Sequence, residues 1–188
     1  MINIATLTMP YRCKLIMNAY KNWIKKSDRV LDMGCGNGAV ANFLRINLGV
    51  NITVCDIENH LTYDLPFVKI SNSRLPFSNK SYDVVLLNDV LHHVKMQDQR
   101  SILQEALRVA KTVLVFEAQP TFYGKFADTI LNKLHYGQLY IPLSFRDIKD
   151  WQKIFKQMGI NFKVKQLSKP FWYPFSHFAF YLENIKKI

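Results

Sequence analysis

The chain has 188 residues, of which 49% are hydrophobic and 21% charged. That balance suits a globular protein with one well-buried core and is short for two. No apolar run approaches the ~20 residues that a membrane helix needs, and Met1 to Pro10 lack the basic-then-apolar pattern of a secretory leader. Three cysteines, Cys13, Cys35 and Cys55, have no C-x-x-C spacing, which argues against a disulfide framework or a zinc site and suits a reducing cytoplasm. The formal net charge is +11, and residues 120–188 carry 11 basic against 4 acidic residues. Such a surface can meet nucleic acid, an anionic membrane or an acidic substrate, although a solvated lysine-rich surface is its ordinary origin.

In chain order, Pro10 to Lys26 reads as a helix with Leu15, Ile16, Ala19, Trp23 and Ile24 on one face and Pro10 in the first turn. Val30 to Met33 reads as a short buried strand. Gly34, Gly36 and Gly38 then alternate through a tight turn, and Val40, Phe43, Leu44 and Leu48 follow at helical spacing. A strand, a glycine loop and a helix in succession make a ligand cradle. Glycine admits backbone shapes closed to other residues and lets a ligand approach the main chain, and the first N–H groups of the helix lack partners. Gly34, Gly36 and Ala39 also satisfy the dinucleotide fingerprint, with Asp56 at the distance of a ribose-binding acid. At this point the loop does not separate a dinucleotide from another adenosine-containing cofactor.

Asn51 to Asp56 is a β-branched run that ends in a carboxylate, as a second parallel strand ending at the ligand edge would. Ile57 to Pro66 is too short for a full crossover helix and leaves room for one turn. Phe67 to Ile70 and Tyr82 to Leu87 read as strands three and four, separated by a polar loop with a Leu75-Pro76-Phe77 knuckle. Asn88 to Val94 follows strand four. Asp98 to Ala110 reads as a helix and Thr112 to Glu117 as a fifth strand. Beyond Pro120, Phe122, Phe126, Ile130 and Leu134 predict an amphipathic helix over Thr121 to Leu134, followed by a loop from His135 to Leu143. Ser144 with Asp147 gives a helix-start signal; Trp151, Ile154, Phe155 and Met158 form its face, and Gly159 ends it. Ile160 to Leu167 and Phe175 to Leu182 read as two last strands, with Phe171 to Phe175 as a connecting turn. The alternation is that of a parallel α/β sheet.

Several of these pieces together resemble the class I S-adenosylmethionine-dependent methyltransferases, especially the small type 11 group. They are Val30-Leu31-Asp32-Met33-Gly34-Cys35-Gly36-Asn37-Gly38, then Asp56, then Leu75-Pro76-Phe77 with Ser81-Tyr82-Asp83-Val84-Val85. Asp89-Val90-Leu91-His92-His93-Val94 and Glu105-Ala106-Leu107-Arg108-Val109 follow. The resemblance covers residues 28–117 well and the tail more weakly. It implies an α/β, Rossmann-like, seven-stranded and mostly parallel sheet flanked by helices, with an antiparallel last strand. It also implies one methyltransferase domain over residues 1–188, made of an N-terminal helix (1–27), a cofactor-binding core (28–119) and substrate-side helices with the final strands (120–188).

The resemblance further implies S-adenosyl-L-methionine as cofactor. Asp32 would lie near its amino-acid end, and Gly34, Cys35, Gly36, Asn37 and Gly38 along its methionine and ribose portions. Asp56 would hold the ribose hydroxyls and Ile57 would pack on the adenine. Ser71, Asn72 and Ser73 stand where the family commonly has an Asp for the adenine amino group, a departure. Asn88, Asp89 and His93 complete the expected cofactor edge.

Methyl transfer from a sulfonium is an in-line displacement in which the protein mainly orients the reactants, so it calls for no catalytic triad. The five histidines, His60, His92, His93, His135 and His177, lack metal-ligand spacing, so no metal is expected. His92, His93 and Glu117 are the candidates for a general base or for orienting the acceptor, beside a purely structural role. The phenylalanine stripe after strand five favours a small-molecule or lipid-like acceptor. An RNA or protein acceptor, drawn by the basic rear portion, and a non-catalytic cofactor-binding module are the alternatives. Oligomeric state is not written in these residues.

Overall fold

The structure is a computed structural model that describes residues 4–71, 74–120, 143–173 and 175–184. Its centre is one seven-stranded sheet in the order β3-β2-β1-β4-β5-β7-β6. The strands are β1 (Arg29–Met33), β2 (Asn51–Asp56), β3 (Phe67–Lys69), β4 (Tyr82–Asn88), β5 (Ala110–Ala118), β6 (Ile160–Leu167) and β7 (His177–Asn184). The first five are mutually parallel, and β7 runs antiparallel to both β5 and β6. The chain leaves β1 toward β2 and β3 on one side and returns to β4 and β5 on the other. The strand order therefore reverses between β1 and β4, and the carboxyl edge there is where open α/β sheets form a ligand crevice.

Strand sequences explain the two covered faces. Side chains alternate across a sheet, so Val85 and Leu87 join Val113, Val115, Phe178 and Phe180 on one face, while Val84 and Leu86 join Leu114, Phe116 and Ala179 on the other. The first face is covered by α3 (Gln99–Val109) and α4 (Ile148–Gln157), through Leu103, Leu107, Trp151 and Phe155. The second is covered by α1 (Ile4–Tyr20) and α2 (Ala39–Leu48), through Ile16, Tyr20 and Leu44. Both faces being buried, strands such as Val84-Val85-Leu86-Leu87 read as continuous apolar runs. Truncating a fully buried ring such as Phe155 to alanine costs about 3–5 kcal/mol.

Several features differ from the sequence reading: β5 starts at Ala110, the residue expected to close α3, and runs to Ala118. The first helix begins at Ile4 and ends at Tyr20, so Pro10 lies inside it rather than in its first turn. Residues 57–66 contain no helical turn; Leu61 and Leu65 instead fold back onto the glycine loop. The cap of α4 is Asp147, whose carboxylate accepts from Asp150 N at 2.8 Å, and not Ser144. Ser144 N donates to the His92 carbonyl at 2.7 Å instead. The last strand starts at His177, two residues later than its apolar run. The helix expected over Thr121 to Leu134 and most of the loop after it lie outside the described residues.

The Leu-Pro-Phe knuckle and the Glu105–Arg108 motif prove to be one device. Leu75 N donates to Glu105 Oε1 at 2.7 Å, and Arg108 donates to the carbonyls of Leu75 (3.1 Å) and Phe77 (2.9 Å). Two side chains one helical turn apart thus satisfy a loop that has no ladder of its own.

Candidate active site

The cradle is built where β1 meets α2. Gly34 N and Cys35 N donate to the Cys55 carbonyl at 2.8 and 3.3 Å, tying the loop to the end of β2. Gly34, Gly36 and Gly38 all have positive φ, at 77°, 53° and 78°. A Cβ on Gly34 would stand 2.7 Å from Val90 Cγ2, and one on Gly38 would stand 2.7 Å from Leu61 Cδ2. At these two positions the missing side chain therefore serves loop-to-loop packing as well as the turn, a reason the sequence reading did not foresee. Asn37 stands just before Gly38, the N-cap of α2; its Oδ1 accepts from Ala39 N at 3.1 Å, while its carbonyl accepts from Thr62 N and Oγ1.

Asp56 belongs to this cradle. Its Oδ2 accepts from Gly36 N at 2.9 Å and its Oδ1 from Ile57 N at 2.7 Å. A carboxylate has about four lone-pair sites, so two backbone donors fix it in place and leave capacity for two hydroxyls. Ile57 beside it is 64% exposed. Ile70 N donates to the Asp56 carbonyl, which brings exposed Ser71 to the same edge. Asn72 and Ser73 lie outside the described residues.

Behind the cradle, Asp32 is 2% exposed. Burial pushes its carboxyl up to about 7, against the opposing effects of the Asn88 hydrogen bond and the Arg12 charge. Asn88 Nδ2 donates to Asp32 Oδ1 at 3.0 Å, and Tyr20 OH donates to Asn88 Oδ1 at 3.0 Å. Burial also pushes up the Cys35 and Cys55 thiols, the latter to about 12, so neither is a thiolate near neutrality.

The second half of the edge starts at the end of β4. Asp89 has φ 54°, a left-handed conformation that Asp tolerates better than most residues, and its N–H donates to the Phe116 carbonyl at 2.8 Å. Arg12 of α1 holds Asp89 Oδ2 at 2.7–2.8 Å. Burial works to raise the Asp89 carboxyl, but the Arg12 charge and the nearby histidines outweigh it and hold it below the ordinary range. Leu91–His93 form a short 3₁₀ turn. Within it His92 is buried and its Nδ1 lies 2.5 Å from Glu117 Oε2, while Glu117 Oε1 accepts from Leu91 N at 2.7 Å. Burial raises the Glu117 carboxyl and the His92 contact opposes that. Burial, reinforced by His92, drives His93 down to about 3.

The fold thus brings Asp32, the glycine loop, Asp56, Ile57, Ser71, Asn88, Asp89, His92, His93 and Glu117 to one edge. Four contributors carry no motif in the sequence. Arg12 and Tyr20 share the face of Ile16 and Ala19 at i, i+4, i+7 and i+8, and a charged residue on a buried stripe was their available signal. Gln99, fully buried, donates from Nε2 to the carbonyls of Leu91 (2.9 Å) and Ser144 (2.8 Å) and so braces the His92 turn from beneath; nothing in its position along α3 marks it. His177 opens β7 beside Asp89, and sequence spacing marks it only as a histidine without a metal-ligand pattern.

These residues fit S-adenosylmethionine. Asp56 is an anchored carboxylate with spare acceptor capacity, Ile57 beside it is an exposed apolar side chain, and Asp32 behind the loop is a buried acid, a set with the chemistry to meet hydroxyls, an aromatic base and a cation. The family model for a methyltransferase domain matches residues 31–113. The chain is 30% identical over 110 residues to a sarcosine/dimethylglycine N-methyltransferase of Aphanothece halophytica, a match covering 52% of this chain and 39% of that protein. It is 31% identical over 102 residues to a 27-O-demethylrifamycin SV methyltransferase of Amycolatopsis mediterranei, covering 47% and 36%. The chain therefore spans well under half the length of these curated relatives. Among solved structures, a SAM-dependent methyltransferase of Archaeoglobus fulgidus superimposes with a TM-score of 0.70 at 15% identity, covering 97% of this chain and 100% of that one. The fold is that of the S-adenosylmethionine-dependent methyltransferases, and the methyltransferase-domain match and the ordered motifs fall on its cofactor-side half.

Proposed function

We propose that the protein transfers a methyl group from S-adenosylmethionine to a small-molecule or lipid-like acceptor. The observation that carries the cofactor half of this reading is the Asp56 carboxylate hydrogen-bonded to Gly36 N within the glycine loop. Gly34 to Gly38, Asp56, Ile57 and Ser71 would hold the nucleoside end, and Asp32, Asn88 and Asp89 the amino-acid end; Asn72 and Ser73 are assigned to the adenine side from the sequence alone. When bound, the cofactor supplies an electrophilic methyl group on a sulfonium. The chain's residues orient the acceptor against that edge and exclude water from it, which is the larger share of the work in such a transfer.

A general base works best with a pKa near the operating pH. His93, held near 3, is poorly matched to that task, so we assign it to the wall of the site. Glu117 and His92 are assigned to orienting the acceptor side. The small-molecule class is supported by the names of the two curated relatives, which act on sarcosine or dimethylglycine and on a rifamycin. Incubating the protein with methyl-labelled cofactor and extract of its own cells tests the reading. The expected label is in a small, protease- and nuclease-resistant compound; label confined to RNA or protein overturns the acceptor class.

A nucleic-acid acceptor is the second reading, favoured by the exposed Lys149, Lys153 and Lys156 of α4 and Lys163 and Lys165 of β6. It requires RNA affinity that falls steeply with salt.

A further inference from the structure

Cofactor binding, as proposed above, engages only Asp89 of the buried polar cluster at the carboxyl ends of β4 and β5 and leaves its grouping with His92 and Glu117 unexplained. One ligand atom each from Asp89, His92 and Glu117 lies within 4.8 Å of the others. A fourth group, His177 from the start of β7, is 4% exposed, and its Nε2 points at Asp89 Oδ1 from 3.7 Å, beyond hydrogen-bond reach. His177 Nδ1 and Asp89 Oδ1 are both buried without a hydrogen-bond partner. Buried polar groups are rarely left so, and Asp89, with its unsatisfied Oδ1, sits in a cluster with His92 and Glu117 while His177 faces it through Nε2.

We propose that Asp89, His92 and Glu117, with His177, form a binding site for a divalent first-row transition ion. The donor set is two imidazoles and two carboxylates, which suits Mn²⁺, Fe²⁺, Co²⁺ or Zn²⁺ over Mg²⁺ or Ca²⁺. The carboxylates are oriented as ligating carboxylates are. Arg12 holds Asp89 Oδ2, which turns Oδ1 inward, and Leu91 N holds Glu117 Oε1, which turns Oε2 inward. The proton between Glu117 Oε2 and His92 Nδ1, 2.5 Å apart, stands where the ion would go. Two ligands on one ion at ~2.1 Å each sit roughly 3 Å apart when adjacent, so binding opens that pair by about half an ångström and releases the proton. Sequence spacing concealed the site because its ligands come from three separate stretches: Asp89 and His92 after β4, Glu117 in β5 and His177 at the start of β7.

The ion binds to this chain whether or not the methyl-transfer reading holds, so the test is run without S-adenosylmethionine. Purified, chelator-treated full-length protein is titrated with Co²⁺ near pH 7.5. The expected result is one ion per chain, visible d–d bands stronger than those of the aqueous ion, and a melting temperature raised by about 5–10 °C at a hundredfold excess over Kd. Glu117→Gln and His177→Asn are expected to weaken binding at least ~100-fold. His60→Ala, which removes an exposed pair with Glu58, is expected to leave it unchanged. No d–d bands and no thermal shift in the wild type overturn the proposal, whatever the variants do, and so does binding that the His60 variant abolishes. Cofactor affinity measured separately before and after chelation keeps failure here distinct from failure of the methyltransferase reading.

Discussion

At the scale of single residues, Asp32 makes the sharpest prediction. Its carboxyl titrates near 7 in the folded protein because burial disfavours the charge, against about 3.9 in an unfolded chain. Between those values the native state binds more protons than the unfolded state, so stability falls as pH rises from about 4 to about 7 and is flat beyond. The full effect is on the order of 4 kcal/mol. Asp32→Asn keeps an acceptor for Asn88 Nδ2 and removes the titration. Urea denaturation across this window should show the slope in the wild type and its loss in the variant. If Asp32 also lies against the cationic end of the cofactor, as proposed, binding favours its ionised form. Cofactor affinity should then rise with pH through 7 in the wild type but not in Asp32→Asn, as read by calorimetry.

The same scale shows what the sequence could and could not disclose. Gly34, Asp56 and Asp89 were legible because a turn after a buried strand and an acid at a strand end have few other uses. Arg12, Gln99 and His177 were not, since each earns its place through a partner more than 75 residues away or through carbonyls that no motif marks: Arg12 reaches Asp89, His177 reaches Asp89, and Gln99 reaches Ser144.

At the scale of elements, α1 is more than a cover for the sheet. It reaches the ligand edge at two points, Arg12 to Asp89 and Tyr20 to Asn88. Arg12→Ala leaves a largely buried carboxylate unpaired at a backbone conformation it tolerates only modestly. The pair is partly exposed, so a loss of about 1–3 kcal/mol is expected. Tyr20→Phe removes one buried hydrogen bond, about 1 kcal/mol. If α1 positions the site, both variants should also weaken cofactor binding; if it only covers the sheet, chemical denaturation will shift while cofactor affinity stays constant. For α4, Asp147→Ala removes the N-terminal cap and should cost about 1 kcal/mol without touching the cofactor edge. Element types were readable from periodicity, as Ile160–Leu167 shows by matching to the residue. Ends were readable only where a local signal was unique. The cap is Asp147, whose carboxylate accepts from Asp150 N, while Ser144 lies three residues earlier and its N–H donates to the His92 carbonyl, a tertiary contact that the S-x-x-D spacing does not reveal.

At the scale of the whole molecule, five parallel strands gather the carboxyl ends of β1, β2, β4 and β5 at one edge, and the β7–β6 pair extends the sheet beyond β5. The order of strands follows from the resemblance carried by residues 28–117; what the rear portion adds at the edge, His177 included, does not. The formal charge of +11 governs non-specific association rather than the crevice. Weak binding to RNA at low ionic strength is therefore expected. It should disappear near physiological salt if the acceptor is small, as a filter-binding series in increasing salt will show.

The central claim is that the glycine loop and the carboxylate bonded to it hold an adenosine-containing methyl donor. Calorimetric titration of the wild type, Asp56→Ala and Asp147→Ala with S-adenosylmethionine tests it most directly. The account predicts one site per chain in the wild type, at least ~10-fold weaker binding in Asp56→Ala from the loss of charge-assisted hydrogen bonds, and unchanged affinity in Asp147→Ala. No binding by the folded wild type, or equal affinity in Asp56→Ala, would contradict it.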